Sequence, residues 1–159
     1  MAGVGRYSAA FLDVSTPGGI VAHRWQSRWR HQTVTWESQA WQYREFTWAG
    51  ISSGAIIDSS PAALEFAHMA TLATNLRQAH ADGWTGRLRV YHHSDAVGIS
   101  APPAAQEMLL QQSLTGVISI TSLTMTAIAI TLGGESGGTF PPRRADTTLI
   151  GVPCQLEVR

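Results

Sequence analysis

The sequence predicts a mainly β fold of the α+β class, with one flanking α-helix at about residues 68–81. Apolar and polar residues alternate along several short segments, as they do in strands with one buried face. Those segments are rich in β-branched and aromatic residues, whereas one Ala-, Leu- and Gln-rich stretch ends at a glycine. The 159 residues suffice for one core and show no linker. We therefore expect a single domain over residues 1–159.

Composition excludes several classes of function. The 11 basic residues, all arginines, balance the 11 acidic ones, so no net charge draws the chain to nucleic acid or to an anionic membrane. Because of this zero net charge we expect no sequence-specific nucleic-acid partner. Serine and threonine interrupt the longest apolar stretch, residues 116–132, so we also expect no membrane span. Cys154 is the only cysteine and forms no intramolecular disulfide. We expect no cofactor.

A first strand is predicted over residues 7–14, and a Pro-Gly-Gly turn follows it. The second strand, after this turn, is predicted to have two different faces. Between residues 21 and 29 the odd positions include Trp25 and Trp29, while the even positions include Arg24 and Arg28. This alternation predicts that Trp25 and Trp29 lie on one face and serve a partner.

A hairpin is predicted from the next two alternating segments. With a four-residue loop over residues 37–40, Trp36 lies opposite Trp41 and Val34 lies opposite Tyr43, so these four residues form a core hairpin. Such cross-strand pairs contribute about 0.2 to 1 kcal/mol each.

The pattern changes after this hairpin. The large apolar residues change from odd positions to even ones at Phe46 and Trp48, which predicts a β-bulge near residues 44–45. Ser60 and Pro61 fit a helix start, and the alternative is a short strand over residues 62–67.

The helix itself is predicted to end at Gly83. Leu72, Leu76 and Ala79 form its buried stripe, and Arg77 faces outward.

The second half of the chain again predicts strands. Apolar and polar residues alternate over residues 87–93, which predicts a strand. Within residues 117–132 the apolar residues switch twice between even and odd positions, which implies a hairpin or two bulges. Residues 133–138 predict a glycine-rich loop, and Pro153 marks residues 152–158 as an edge strand.

Catalytic and metal-binding patterns are weak. The run from His92 and His93 to Ser94 and Asp95 holds the residue types of a hydrolase, but neighbours on a strand point to opposite faces. The six histidines lack HxH or HxxxH spacing. We assign no catalytic or metal residue and expect no enzyme, with a small hydrolase as the third hypothesis.

Five of the six tryptophans fall between residues 25 and 48, interleaved with Arg24, Arg28 and Arg30. Exposed, these rings suit an oligomer interface or a carbohydrate-binding module. We favour the interface, since a neutral chain without excess Asn and Asp is poorly equipped to bind hydroxyls.

Several segments resemble a known group of proteins. They are Val34-Thr35-Trp36 before a turn, Trp41-Gln42-Tyr43 after it, the strand from Gly86 to Tyr91, the long Ser/Thr/Ile-rich strand pair, and the motif of Phe140, Pro141, Pro142, Arg143 and Arg144. In this order they resemble small baseplate and tail-tip proteins of long-tailed bacteriophages, related to hub and tail-tube-initiator families.

The resemblance implies a tail-tube-like antiparallel β-sandwich or barrel with one flanking helix. It further implies a structural, non-catalytic component of the virion, made in the host cytoplasm, in which three or six copies form a ring. The ring would connect the tail tube to the baseplate hub, with tail-tube and hub proteins as partners. The interface candidates are Arg24, Trp25, Arg28, Trp29, Arg30, Phe140, Pro141, Arg143 and Arg144.

Overall fold

The computed structural model describes residues 6–49, 61–94, 101–103 and 107–134. Within them, nine strands form one sheet in the order β3-β4-β2-β1-β7-β8-β9-β6-β5, with a single helix. The elements are β1 (Arg6–Ser15), β2 (Val21–Gln26), β3 (Thr33–Trp36), β4 (Gln39–Tyr43), β5 (Phe46–Ala49), β6 (Ala62–Ala67), α1 (Ala70–Ala81), β7 (Thr85–Ser94), β8 (Leu109–Leu123) and β9 (Ala127–Gly134). The mainly β class with one helix is confirmed. The sheet is mixed rather than purely antiparallel, because β2 and β4 pair in parallel.

The sheet curls so that its two halves face each other across a common core. Trp25 on β2 and Phe66 on β6 lie far apart in the strand order, yet their ring centres are 5.8 Å apart. Arg44 N donates to Gln26 O at 2.9 Å, and the next residue, Glu45, accepts from Ala67 N at 3.0 Å. The predicted bulge at residues 44–45 is therefore wrong: here the chain passes from one half of the sheet to the other.

The predicted hairpin register is also wrong, by two residues. Its loop holds only Glu37 and Ser38, which both have positive φ (52° and 61°), as a type I′ turn requires. Val34 consequently pairs with Trp41, not with Tyr43. A shift of two preserves the side-chain faces, so Val34, Trp36 and Trp41 are buried together as predicted, whereas Tyr43 is half-buried outside that core.

Helix α1 closes the larger of two cores. Leu72, Leu76 and Ala79 are buried as predicted, Arg77 is exposed, and Gly83 follows the helix with φ +67°. This core, the helix-side core, gathers Leu12, Trp25, Phe46, Leu64, Phe66, Leu72, Leu76, Leu88, Ile118, Ile128, Ile130, Leu132 and smaller neighbours.

Two open alternatives are decided. Residues 62–67 form a strand rather than a helix start, and the switches within residues 117–132 reflect the β8–β9 hairpin, with an irregularity between Ile120 and Ser122. The predicted edge strand at 152–158 and the loop residues 135–138 lie outside the described residues, whereas Gly133 and Gly134 end β9.

Candidate functional site

Strand β1 separates the two cores because its successive side chains point to opposite faces. Leu12 faces the helix-side core, whereas Phe11 faces a second one, the hairpin-side core, made of Ala9, Phe11, Trp29, Val34, Trp36, Trp41, Tyr91 and Met108. The Phe11 ring lies 5.0 Å from that of Trp41 and 5.6 Å from that of Trp36. The β3–β4 hairpin therefore covers one end of this face of the sheet.

Trp25 and Trp29 do not form an exposed pair. They are 1% and 2% exposed, and they belong to different cores, Trp25 to the helix-side core and Trp29 to the hairpin-side core. The prediction that both rings face a partner is wrong, because β2 ends at Gln26 and the alternation does not continue to residue 29.

Gln26 organises the turn after β2 from a fully buried position. Its Oε1 accepts hydrogen bonds from the backbone N–H groups of Arg28 and Trp29, both at 2.8 Å, and its Nε2 donates to Trp29 O at 2.8 Å and Gln32 O at 3.3 Å. These bonds hold residues 28–32 in a compact turn after β2, from which Trp29 packs into the hairpin-side core. Alternation along β2 places Gln26 on the polar face, so the sequence pattern does not predict this role.

The arginines of the predicted interface are spread over different surroundings. Arg28 lies over the Tyr7 ring at 4.6 Å, and Tyr7 stacks on His93, which in turn stacks on Trp29, both at 6.0 Å. Arg30 is largely exposed and lies 3.8 Å from Glu45. The other predicted interface residues, Phe140, Pro141, Arg143 and Arg144, lie outside the described residues.

The carbohydrate-binding alternative required exposed tryptophans. Five of the six are buried, namely Trp25, Trp29, Trp36, Trp41 and Trp84, and the sixth, Trp48, is partly buried against the helix-side core. The premise of that alternative is wrong for this chain.

The hydrolase hypothesis gains no geometric support. His93 is 3% exposed and its Nδ1 lies 2.8 Å from Ser94 O, whereas the adjacent His92 is half-buried. Asp95 lies outside the described residues. Within the described ranges, no group of three His, Cys, Asp or Glu side chains is placed to hold a metal ion.

A row of charged residues crosses three strands beside the hairpin, on the part of this same face that the hairpin leaves uncovered. Asp13 on β1 lies opposite Arg24 on β2 and opposite Arg87 on β7. Residues opposite each other in a sheet project to the same side, so the two arginines flank Asp13. We call Arg24, Asp13 and Arg87 the charged row; the groove above it has a volume of about 480 Å³.

Arg89 connects this row to the hairpin. It is 8% exposed and donates hydrogen bonds to Glu37 Oε2 at 2.7 Å and to Asp13 Oδ2 at 3.3 Å. Its guanidinium carbon lies 5.5 Å from the centre of the Trp41 ring. Arg89 therefore ties the turn residue Glu37 to the sheet and neutralises charge beneath the groove.

Burial dominates the titration of Asp13. It raises the pKa of this carboxyl above its ordinary value of 3.8, while Arg89, Arg24 and Arg87 oppose the change without reversing it. The cluster is therefore a compact, partly desolvated set of charges rather than a solvated surface pair.

Strand β3 forms one edge of the sheet. Because Trp36 and Gln39 flank a two-residue turn, they form a hydrogen-bonded pair, and such pairs alternate along the hairpin. The bond from Tyr43 N to Gln32 O at 3.0 Å fits this alternation. The backbone groups of Thr33 and Thr35 consequently point away from β4, and no described strand pairs with that side.

Exposed apolar side chains lie on the longest hairpin. Leu109 and Leu110, at the start of β8, are 61% and 52% exposed, and Met125, in the β8–β9 turn, is 94% exposed.

Comparisons identify no family: the sequence matches no protein-family model and no curated protein. No helix among the described residues is long and apolar enough to cross a membrane.

Proposed function

We propose that this protein is a structural component of a phage tail, a subunit of a baseplate-hub or tube-adaptor ring that joins the tail tube to the baseplate. The supporting observation is the open edge at β3, where the backbone groups of Thr33 and Thr35 face outward. An unpaired edge is a template for strand addition by another chain.

The neighbouring side chains favour a docked strand at this edge. Thr33 and Thr35 are exposed, while Val34 and Trp36 anchor the strand in the hairpin-side core. The edge is thus held rigidly by its buried face, and a neighbouring copy adds to it without prior rearrangement. A contact between this edge and a different surface of the next copy is heterologous, and such contacts close into rings when the rotation permits.

The partners in this proposal are copies of the same chain, in a ring of three or six, and the tail-tube and hub proteins on either side. Exposed Leu109, Leu110 and Met125 supply apolar contact area at these junctions. The ring is part of the virion, and its subunits are made in the host cytoplasm.

Light scattering across a concentration series, with negative-stain images, tests the proposal. We expect a mass three or six times that of one chain and annular particles. A mass that stays at one chain over the whole series, with no annular particles, contradicts self-assembly.

A variant pair tests the edge itself. Thr35→Pro removes an outward N–H that β4 does not use, so it blocks strand addition and leaves the β3–β4 bonds in place. Thr35→Ala keeps the N–H and is the matched control. Assembly should be lost only in the proline variant; equal assembly of both variants would exclude this edge.

A further inference from the structure

The groove over the charged row contains donors that no other described residue uses. Asp13 is engaged on both oxygens, because Oδ1 lies 3.5 Å from Arg24 Nε and Oδ2 accepts from Arg89. The terminal nitrogens of Arg24 and the whole guanidinium of Arg87 form no ion pair within the described part of the chain. Two guanidinium forks therefore flank a carboxylate that is already neutralised.

The charge balance of the groove is positive. Arg24, Arg87 and Arg89 bring three guanidinium groups, against the two carboxylates of Asp13 and Glu37. Arg89 is shared between those carboxylates and sealed under the Trp41 ring. The excess positive charge therefore resides on the two arginines at the rim, one on either side of Asp13.

We propose that this groove is a binding site for an oxyanion, a carboxylate or phosphate group held between Arg24 and Arg87. Planar guanidinium forks bind such groups through paired N–H donors. Arg24 is 30% exposed in its side chain, and its Nε contact with Asp13 orients the fork before a ligand arrives. The volume of about 480 Å³ leaves room for a small anion or for the end of an acidic side chain.

The oxyanion has two possible sources with the same chemistry. One is a dissolved small molecule, and the other is an acidic side chain of a neighbouring copy; only the second rests on the proposed ring. Inorganic phosphate and citrate serve as probes in an NMR titration at constant ionic strength, observed at the arginine Nε–H signals. Light scattering under the same conditions reports assembly.

Two variants locate the site and one controls for general charge. Arg87→Gln and Arg24→Gln should each weaken anion binding by about tenfold or more, which is the usual effect of losing a charged hydrogen bond. Arg77→Gln removes an exposed arginine from α1 and should bind like the unaltered chain. Circular dichroism verifies that all three variants fold.

The outcomes separate the two sources. Saturable shifts that Arg24→Gln and Arg87→Gln weaken by about tenfold or more, and that Arg77→Gln retains, support the site with a dissolved anion as ligand. Absent shifts, together with assembly lost in Arg24→Gln and Arg87→Gln but kept in Arg77→Gln, support a neighbouring carboxylate. If anion binding is equal in all variants, or if neither binding nor assembly responds to Arg87, the proposal is overturned. A chain that stays monomeric defeats the ring alone, since the titration still decides the site.

Discussion

Arg44 and Glu45 are adjacent in the sequence, yet their backbones bond to opposite halves of the sheet, Arg44 to Gln26 on β2 and Glu45 to Ala67 on β6. This two-residue step links the two halves beside the helix-side core, to which Trp25 and Phe66 belong. It also connects the β3–β4 hairpin, which carries the open edge, to the closed part of the sheet. The edge and the charged row therefore rest on one continuous framework.

Gln26→Leu should destabilise the protein strongly although the two side chains are similar in size. The leucine removes the Gln26 acceptor from the N–H groups of Arg28 and Trp29. It also removes one of two donors to the carbonyls of Trp29 and Gln32, which keep their backbone bonds from Gln32 N and Tyr43 N. Each orphaned buried group costs about 1 to 3 kcal/mol, so we expect a loss of several kcal/mol in urea unfolding. Gln39→Leu, at an exposed position, is the control and should change stability by less than about 0.5 kcal/mol.

Trp25→Ser should lower the free energy of unfolding by about 3 to 5 kcal/mol, the usual cost of emptying a large core site. Trp25 is 1% exposed and its ring meets Phe66 edge-on at 5.8 Å. Arg30→Ser, at an exposed residue of the same predicted interface, should have little effect on stability. Equal melting temperatures for the two variants would contradict the burial of Trp25.

Local alternation predicted most of the elements but not their long-range partners. The helix, its buried stripe and the faces of Val34, Trp36 and Trp41 follow from periodicity, and the hairpin register failed only because Glu37 and Ser38 adopt positive φ without glycine. The Arg44–Glu45 step and the charged row depend on pairings between distant strands, which no local pattern encodes, so alternation does not single out Arg87. Gln26 and Trp29 are local failures: β2 ends at Gln26, and the turn that this side chain holds breaks the alternation before residue 29.

Gly116→Ala should be poorly tolerated because β8 and β9 approach closely at this residue. A Cβ there would overlap the backbone carbonyl of Gly133, which cannot move as a flexible side chain does. We expect a loss of about 2 to 4 kcal/mol in unfolding experiments. At Gly18 a Cβ meets only the Thr16 hydroxyl at 3.8 Å, so Gly18→Ala is the matched control; similar stabilities would disprove the close approach.

The raised pKa of Asp13 makes a prediction about pH and stability. Burial lifts the folded pKa above the ordinary value of 3.8, so the folded chain binds this proton at a higher pH than the unfolded chain does. Between those two pKa values the folded state holds more protons, and the contribution of Asp13 to stability falls as the pH rises. Acidification through the same interval restores it.

Comparison with Asp13→Asn isolates this effect from the other carboxylates. We would measure the unfolding free energies of the unaltered chain and the variant in urea, at a series of pH values from about 3 to 7. As the pH rises, the unaltered chain should lose stability relative to the variant. Glu65→Gln, at an exposed residue of β6, should give no comparable trend. If the unaltered chain instead gains stability relative to the variant as the pH rises, the attraction of Arg24, Arg87 and Arg89 outweighs the cost of burying the carboxylate.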